Sequence, residues 1–218
     1  MAAGVILRAG LTGGIASGKS TITRMLAALG CLTADADEVV ARLYRPGEEG
    51  HDAVMREYGR GVLRPDGEVD RKKLAGIAFA SKESAARLNA LIHPLVIAEE
   101  QRIIEAEMRR FPDRDRIFVV EATLLLESGG RDRYDRIVVV DVPEQTQIKR
   151  AVERGMSPEE TERRMRHQMP RQERLRQADY VIDNGGDRRA AELETHRVYA
   201  RLREDLQAKK SGKLQPRA

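Results

Sequence analysis

Residues 13–20 have the side-chain types and spacing that bind phosphate. They read Gly-Gly-Ile-Ala-Ser-Gly-Lys-Ser, fit the pattern G-x-x-x-x-G-K-[ST], and lie between an apolar run at 5–11 and a helical apolar repeat at 22–29. Loop N–H groups, a helix N-terminus and the Lys19 ammonium attract phosphate oxygens, while the Ser20 hydroxyl can bind Mg²⁺. A glycine-rich turn that fits by chance is the alternative, but both flanking elements favour a nucleoside triphosphate site. The residues predicted to contact the nucleotide here are Gly13, Gly14, Ala16, Ser17, Gly18, Lys19, Ser20 and Thr21.

Two aspartates, Asp35 and Asp37, directly follow a short apolar run at 31–34. The carboxyl ends of parallel strands line the ligand crevice of an open sheet, so both carboxylates are expected near the phosphate loop. A carboxylate there can accept the proton of an attacking hydroxyl during phosphoryl transfer. A helix N-cap is the alternative, because Asp is a favoured cap before a helical run. We predict that Asp37 is the catalytic base and that Asp35 is a cap, a substrate contact or both.

Glu121 and His93 are weaker candidates. Glu121 ends the most apolar strand-like run, where nucleotide-binding proteins often carry an acid that supports Mg²⁺ without contacting it directly; a solvent-facing strand-end carboxylate is the alternative. His93 precedes Pro94 inside a long helical stretch, and proline removes a backbone donor, which predicts a kink or a helix start there. Four scattered histidines and one cysteine make a protein-only metal cluster improbable.

Arginines are concentrated in the segment 163–176, which holds six of them and a single acid, Glu173. They form either a solvated helix face or a mobile cover that closes over the triphosphate and excludes water. Arg154-Gly155, just before this segment, would act as a hinge and an anion clamp. We therefore predict that Arg154 contacts the transferring phosphate.

Composition limits the classes of protein to consider. Hydrophobic residues make up 41% of the 218 residues, enough for one core, and the formal net charge is only +4 although 31 residues are Arg. An anionic nucleotide accounts for this arginine bias as well as a nucleic acid does. The single cysteine, Cys31, precludes an internal disulfide, and we find no signal-like stretch and no apolar run of about 20 residues. We expect a cytoplasmic protein without a membrane or nucleic-acid partner.

Short apolar runs alternate with longer helical stretches, which is typical of a parallel sheet with crossover helices. The gap of some eighty residues between the second and third strands predicts a helical insertion. The predicted strands are 4–11, 31–34, 117–122, 136–142 and 179–183. The predicted helical stretches are 37–44, 48–58, 70–80, 83–109 and 144–176.

Taken together, these residues resemble the dephospho-coenzyme A kinase family over nearly the whole chain. The phosphate loop, at 11–21, is close to the family's extended L-T-G-G-I-x-S-G-K-S-T, and Asp35-Ala36-Asp37 matches its D-A-D segment, whose second Asp is the catalytic base. The run 121–127 corresponds to a family segment but lacks its Pro and Phe. Further matches are Asp70-Arg71-Lys72-Lys73-Leu74, Phe79, Leu88, Ile92-His93-Pro94-Leu95-Val96, Gln147, Arg150, Arg154, Gln168 and Ala178-Asp179-Tyr180-Val181-Ile182-Asp183-Asn184.

The resemblance implies a fold and a division into domains. The fold class is α/β: a P-loop NTPase-type parallel five-stranded sheet flanked by helices, with an inserted helical substrate domain and a helical lid. The implied nucleotide-binding core comprises 1–37, 96–143 and 177–206. The inserted acceptor domain is 38–95, the arginine-rich lid is 144–176, and 207–218 is a flexible basic tail.

The resemblance also implies an activity. The chain would use ATP and Mg²⁺ to phosphorylate the ribose 3′-hydroxyl of dephospho-coenzyme A, giving coenzyme A and ADP. Asp35, Arg71 and His93 would contact the acceptor, Asn184 would lie beside the adenine, and the enzyme would be a monomer or a weak homo-oligomer. Another small-acceptor kinase, of nucleoside, nucleotide or shikimate type, is the near alternative. A rival of another class is a regulatory GTPase or a nucleic-acid-associated ATPase. The sequence disfavours a GTPase because no Asn-Lys-x-Asp motif occurs, and it contains no ABC-type Leu-Ser-Gly-Gly motif.

Overall fold

The computed structural model describes residues 3–78 and 80–215, except for the side chain of residue 82. Phe79, which contributes to the resemblance above, and residues 216–218 of the predicted tail lie outside this part. The strands are β1 (Ile6–Gly13), β2 (Leu32–Asp35), β3 (Arg116–Glu121), β4 (Arg136–Asp141) and β5 (Tyr180–Asp183). The helices are α1 (Lys19–Ala28), α2 (Ala36–Leu43), α3 (Glu49–Tyr58), α4 (Arg71–Ala78), α5 (Lys82–Arg110), α6 (Glu144–Glu153), α7 (Pro158–Arg166), α8 (Arg171–Arg176) and α9 (Arg188–Lys210).

The five strands form one parallel sheet in the order β2-β3-β1-β4-β5. The central strand β1 pairs with β3 from Ile6 opposite Arg116 to Leu11 opposite Glu121, and with β4 up to Gly13 opposite Val140. This register brings the phosphate loop to the sheet edge at which β3 and β4 end. The predicted five-stranded parallel α/β fold is confirmed.

Two compact units divide the chain. The first comprises the described residues up to Ala34 and from Met108 onward, and it contains the phosphate loop and the helices α6 to α9. Its core forms where apolar residues of the sheet meet those of α1 and α9, as expected for Val/Ile-rich strands buried on both faces. Fully buried members of this core include Leu7, Leu11, Ile22, Leu26, Val138, Val140, Ile182, Val198 and Leu202.

The second unit, Asp35–Glu107, is helical and has a core of its own. Apolar residues of α2, α3, α4 and α5 meet around the buried Val54, Leu74 and Ile92. Two tyrosines border this core: burial raises the pKa of Tyr44 to about 12, and the Tyr58 hydroxyl is buried without a hydrogen-bond partner among the described residues.

Pro94 neither ends nor starts a helix, in contrast to one form of the prediction. Helix α5 continues through it from Lys82 to Arg110. Proline has no backbone N–H, so one helical hydrogen bond is missing. Ile92 and Val96 on either side of Pro94 are each only 4% exposed and pack into the core. The helix is therefore unbroken where its flanking residues are buried, an outcome that helix propensity alone could not predict.

The segment predicted as a lid folds into the three helices α6, α7 and α8. Beyond it, α9 continues to Lys210, so the first residues of the predicted tail are helical. Lys209 forms an ion pair with Asp135 at 2.6 Å, and Lys210 forms one with Asp115 at 2.8 Å. These contacts hold the end of α9 against the segments that lead into β3 and β4.

Candidate active site

The phosphate loop turns sharply from β1 into α1. Ala16 and Gly18 have positive φ angles of 54° and 92°, and the N–H of Ser17 donates to the Gly14 carbonyl at 3.1 Å. Three positions leave no room for a side chain: a Cβ on Gly13 would overlap the Val140 carbonyl, one on Gly14 the Gln147 amide, and one on Gly18 the Asn184 amide. The glycine spacing is therefore required by neighbours as well as by backbone conformation.

Lys19 begins α1 and lies folded over the loop. It is 8% exposed, and its Nζ donates to the carbonyls of Gly13 at 3.1 Å and Gly14 at 3.3 Å. A buried ammonium held by loop carbonyls stands at the N-terminus of a helix, where the dipole also attracts anions. This arrangement is suited to binding the phosphates of a nucleotide.

Ser20 and Glu121 are brought together by α1 and the end of β3. The Ser20 hydroxyl donates to Glu121 Oε1 at 2.9 Å, and the Thr23 hydroxyl donates to Oε2 at 2.8 Å. Glu121 is only 6% exposed, so the alternative of a solvent-facing strand-end carboxylate is wrong. Because the Ser20 proton is given to Glu121, the serine lone pairs remain available to a cation.

Asn184 is hydrogen-bonded to the backbone of the phosphate loop. Its Nδ2 donates to the Ser17 carbonyl at 2.7 Å, its N–H donates to the Asp141 carbonyl at 2.9 Å, and its own carbonyl accepts Arg150 Nη2 at 2.9 Å. The residue is 9% exposed. Its side chain thus fixes the shape of the phosphate loop, a role that the sequence did not predict beside the proposed adenine contact.

The segment 144–176, predicted as a lid, touches the phosphate loop through two glutamines. Gln168 Oε1 accepts the N–H of Ile15 at 2.9 Å. Gln147 is 3% exposed, donates to the Val142 carbonyl at 3.2 Å and lies against Gly14. Met169, next to Gln168, donates its N–H to Glu127 Oε1 at 2.7 Å. These contacts bring the residues between α7 and α8 onto the loop.

The arginines in and just before the predicted lid segment differ in their surroundings. Arg171 forms a bidentate pair with Asp141, at 2.8 and 2.6 Å, and this pairing raises the pKa of Arg171. Arg174 is 5% exposed, and burial lowers its pKa. Arg154 caps the C-terminus of α6 with an exposed side chain. Acids outside 163–176 neutralise some of the six arginines, so the segment is less unbalanced in charge than its single acid indicates. The pairs are Glu160 with Arg164, Glu162 with Arg166 and Asp141 with Arg171.

The predicted acceptor-side residues all belong to the helical unit. Asp35 is the N-cap of α2, and its Oδ1 accepts the N–H of Asp37 at 2.8 Å and that of Glu38 at 3.2 Å, so the capping alternative holds for Asp35. Asp37 lies in the first turn of α2 with an exposed side chain. Arg71 is exposed at the start of α4, close enough to Tyr44 for its charge to oppose the rise in that tyrosine's pKa.

His93 is half-buried in α5. Groups of three or more His, Cys, Asp or Glu that could enclose a metal ion are absent from residues 3–78 and 80–215. A cation beside Ser20 and Glu121 would therefore have few protein ligands, as Mg²⁺ commonly does.

Comparison with known proteins identifies the family. A family model described as Dephospho-CoA kinase matches residues 7–189. The chain is 38% identical over 198 residues to the dephospho-CoA kinase of Aquifex aeolicus, covering 91% of this chain and 98% of the relative. It is 43% identical over 201 residues to that of Methylococcus capsulatus, covering 90% and 98%. This chain belongs to the dephospho-CoA kinase family. The activity predicted from the sequence, a phosphotransferase with an alcohol acceptor, is confirmed.

A solved structure agrees with this assignment. The dephospho-CoA kinase from Campylobacter jejuni matches with a TM-score of 0.61 and 26% sequence identity, covering 92% of this chain and 98% of that chain. In the described part of this family member, no helix is long and apolar enough to cross a membrane.

Two residues of the site, Thr23 and Asp141, were not predicted from the sequence. A third, Arg174, was not distinguished from the neighbouring arginines. Thr23 lies three residues after Ser20, on the same face of α1, so helical spacing could have indicated it. Asp141 ends β4 after a Val/Ile run, as Glu121 ends β3, and its position carried the same signal. Arg174 gave no signal, because nothing in the spacing distinguishes it from the other arginines of the lid.

Proposed function

We propose that this chain transfers the terminal phosphoryl group of ATP to the ribose 3′-hydroxyl of dephospho-coenzyme A, releasing coenzyme A and ADP. The observation that carries the proposal is the phosphate loop of a family member, in which Lys19 is buried over the loop carbonyls and Ser20 is bound to Glu121. In the reaction, the 3′ oxygen attacks the γ phosphorus and the bond from that phosphorus to the β,γ-bridging oxygen breaks.

The loop residues bind the triphosphate in this proposal. Lys19 leaves the loop carbonyls for the β- and γ-phosphates and neutralises charge that develops on the leaving ADP. Loop N–H groups and the N-terminus of α1 hold the remaining oxygens. Asn184 keeps the loop in shape through Ser17 and contacts the nucleotide near its base. The nucleotide contacts are Gly13, Gly14, Ala16, Ser17, Gly18, Lys19, Ser20, Thr21 and Asn184.

The oxygens of Ser20 and Glu121 fit a hard divalent cation, and we assign Mg²⁺ to them. Ser20 would bind the ion, while Glu121 orients the serine hydroxyl and supplies negative charge behind it. The donor set suits Mg²⁺, which binds through one or two protein oxygens together with phosphates and waters. When bound, the ion neutralises charge on the β- and γ-phosphates.

The helical unit supplies the acceptor side. Asp37 takes the proton of the 3′-hydroxyl as the oxygen attacks, so the proton ends on the carboxylate. Asp35, Arg71 and His93 contact the acceptor. We assign acceptor binding to residues 38–95 and nucleotide binding to 1–37, 96–143 and 177–206.

The lid, residues 144–176, covers the nucleotide, with Arg154 contributing a positive charge. We propose a monomer or weak homo-oligomer that acts in the cytoplasm on small molecules, without a nucleic-acid or membrane partner.

A parallel assay of acceptors tests the proposed function. ADP release is measured with dephospho-coenzyme A, AMP, adenosine and shikimate as acceptors, each with ATP and Mg²⁺. We expect turnover with dephospho-coenzyme A to exceed that with each other acceptor by at least a hundredfold. Equal or faster turnover with AMP, adenosine or shikimate would contradict the assignment.

A further inference from the structure

A cavity of about 220 Å³ lies under the lid, beside the phosphate loop. Two of its walls touch the loop directly: Gln168 accepts the Ile15 N–H, and Gln147 lies against Gly14. An amide oxygen on a phosphate-loop N–H occupies the kind of position that a phosphate oxygen takes when a nucleotide binds. This cavity therefore adjoins the phosphate-binding side of the loop.

Arg174 lines this cavity and is its most deeply buried cation. Its Nη2 donates to the Met169 carbonyl at 2.6 Å. A guanidinium carries five N–H donors, and in the described part of the chain that carbonyl is its only protein acceptor and no carboxylate forms an ion pair with it. Most of its donors are therefore left for a ligand.

Two acids whose charges act on Arg174, Glu127 and Asp141, are already engaged, and Glu144, which also lines the cavity, forms no ion pair with Arg174. Glu127 accepts the Met169 N–H, and Asp141 is held by both arms of Arg171. Their longer-range attraction opposes the fall in the Arg174 pKa, but burial dominates that shift. A buried guanidinium with one carbonyl partner is costly to keep unless an anion compensates it.

The other lid arginines are less suited to a phosphate. Arg171 is neutralised by Asp141, and Arg166, which also lines the cavity, is exposed and near Glu162. Arg154, the residue indicated by the sequence, is exposed and outside the cavity lining. Burial, free donors and proximity to the loop thus coincide at Arg174.

We infer that Arg174 is the lid residue that contacts the terminal phosphate of bound ATP, with its guanidinium donating to phosphoryl oxygens that enter the cavity beside Ile15. This inference rests on the proposed function for its ligand. It deepens that proposal by assigning a triphosphate-sensing contact to a residue of α8.

Binding of nucleotides without any acceptor tests the inference. Affinities for Mg²⁺ with β,γ-imido-ATP and for Mg²⁺ with ADP are measured by titration calorimetry on the full chain and on Arg174→Met. Hydrogen bonds from a charged group to a ligand are individually strong. We expect Arg174→Met to bind the triphosphate analogue at least tenfold more weakly and ADP within twofold of wild type.

Two control variants isolate the contact. Gln172→Met places the same side chain on an exposed position of α8, and Arg201→Met removes an exposed arginine of α9; both should keep the wild-type ratio of the two affinities. Arg174→Lys keeps the positive charge but not the planar guanidinium. Its preference for the triphosphate analogue over ADP should lie between that of wild type and that of Arg174→Met. If Arg174→Met fails to fold, the Lys variant carries the test.

If the Arg174 variants weaken the binding of both nucleotides equally, or of neither, the ratio of the two affinities stays at its wild-type value. Either result would indicate a merely structural role for Arg174 and overturn the inference. Failure of the proposed function is a separate result, because absence of ADP release with dephospho-coenzyme A leaves the ratio of nucleotide affinities to be measured in the same way.

Discussion

The Ser20 hydroxyl donates to Glu121 Oε1 at 2.9 Å, joining the phosphate loop to the end of β3. Because this carboxylate also accepts the Thr23 hydroxyl at 2.8 Å, both of its oxygens hold α1 in place. The bond directs the serine proton away from the phosphates. In the proposed function, this relationship links loop geometry to the binding of Mg²⁺.

Glu121→Gln should weaken the response of the enzyme to Mg²⁺. The amide keeps the size of the side chain but removes its charge, so we expect the Mg²⁺ concentration for half-maximal activity to rise about tenfold or more, within the 10–100-fold range typical of groups behind a metal ligand. Initial rates over a Mg²⁺ series measure this, with exposed Glu204→Gln as a matched control. A half-maximal concentration equal to that of wild type would remove Glu121 from the metal site.

Lys19→Ala should abolish turnover while the fold persists. The Lys19 ammonium contacts loop carbonyls, and Lys19 is not a member of the apolar core cluster. We expect ADP formation to fall by roughly 10³-fold or more, since transition-state charge stabilisation of this kind is worth several kcal/mol. Circular dichroism checks the fold, and activity within tenfold of wild type with an unchanged spectrum would contradict the assignment.

Asp37→Asn should lower kcat far more than it raises KM for either substrate. A general base acts in the transition state, and its removal typically costs about 10²–10⁴-fold. Asp35→Asn should lower kcat less than Asp37→Asn does, because asparagine also caps a helix well. Asp35→Ala should lower the free energy of unfolding by about 1 kcal/mol through loss of the α2 cap. A larger kcat loss from Asp35→Asn than from Asp37→Asn would reverse the two roles.

How far the sequence predicts this site depends on the range of the contacts involved. The phosphate loop and its flanking elements are local, so the spacing of Gly13, Gly18 and Lys19 was enough to locate them. The contact between Ile15 and Gln168 spans 153 residues, and the Arg174 environment depends on how α8 packs. Neither has a periodic signature, so only the fold reveals them.

Cys31 should be inert in the folded enzyme. Burial raises the pKa of its thiol from the ordinary 9.0 to about 12, so the reactive thiolate is scarce at pH 8. Iodoacetamide should label it only after denaturation. Because the unfolded chain releases this proton first as pH rises, the free energy of unfolding should fall between about pH 9 and pH 12. Cys31→Ala should flatten that fall, and rapid labelling of folded protein would contradict the prediction.

Hydrogen exchange across 150–176 should slow markedly when a non-hydrolysable ATP analogue binds. The contacts of Gln168 with Ile15 and of Met169 with Glu127 hold the junction of α7 and α8, whereas most of the segment's arginines are exposed. A triphosphate supplies compensating charge and orders the segment. The second half of α5, residues 96–107, serves as the internal reference and should change little.

Gln168→Ala sharpens this test of the lid. Loss of its contact with the loop should speed exchange in 150–176 in the free enzyme and have a smaller effect once the analogue is bound, because phosphate contacts then hold the lid. A helical segment packed permanently on the core would instead exchange at equal rates with and without the analogue. Equal rates in wild type would leave Arg154 and its exposed neighbours as surface charge and would end the description of 144–176 as a lid.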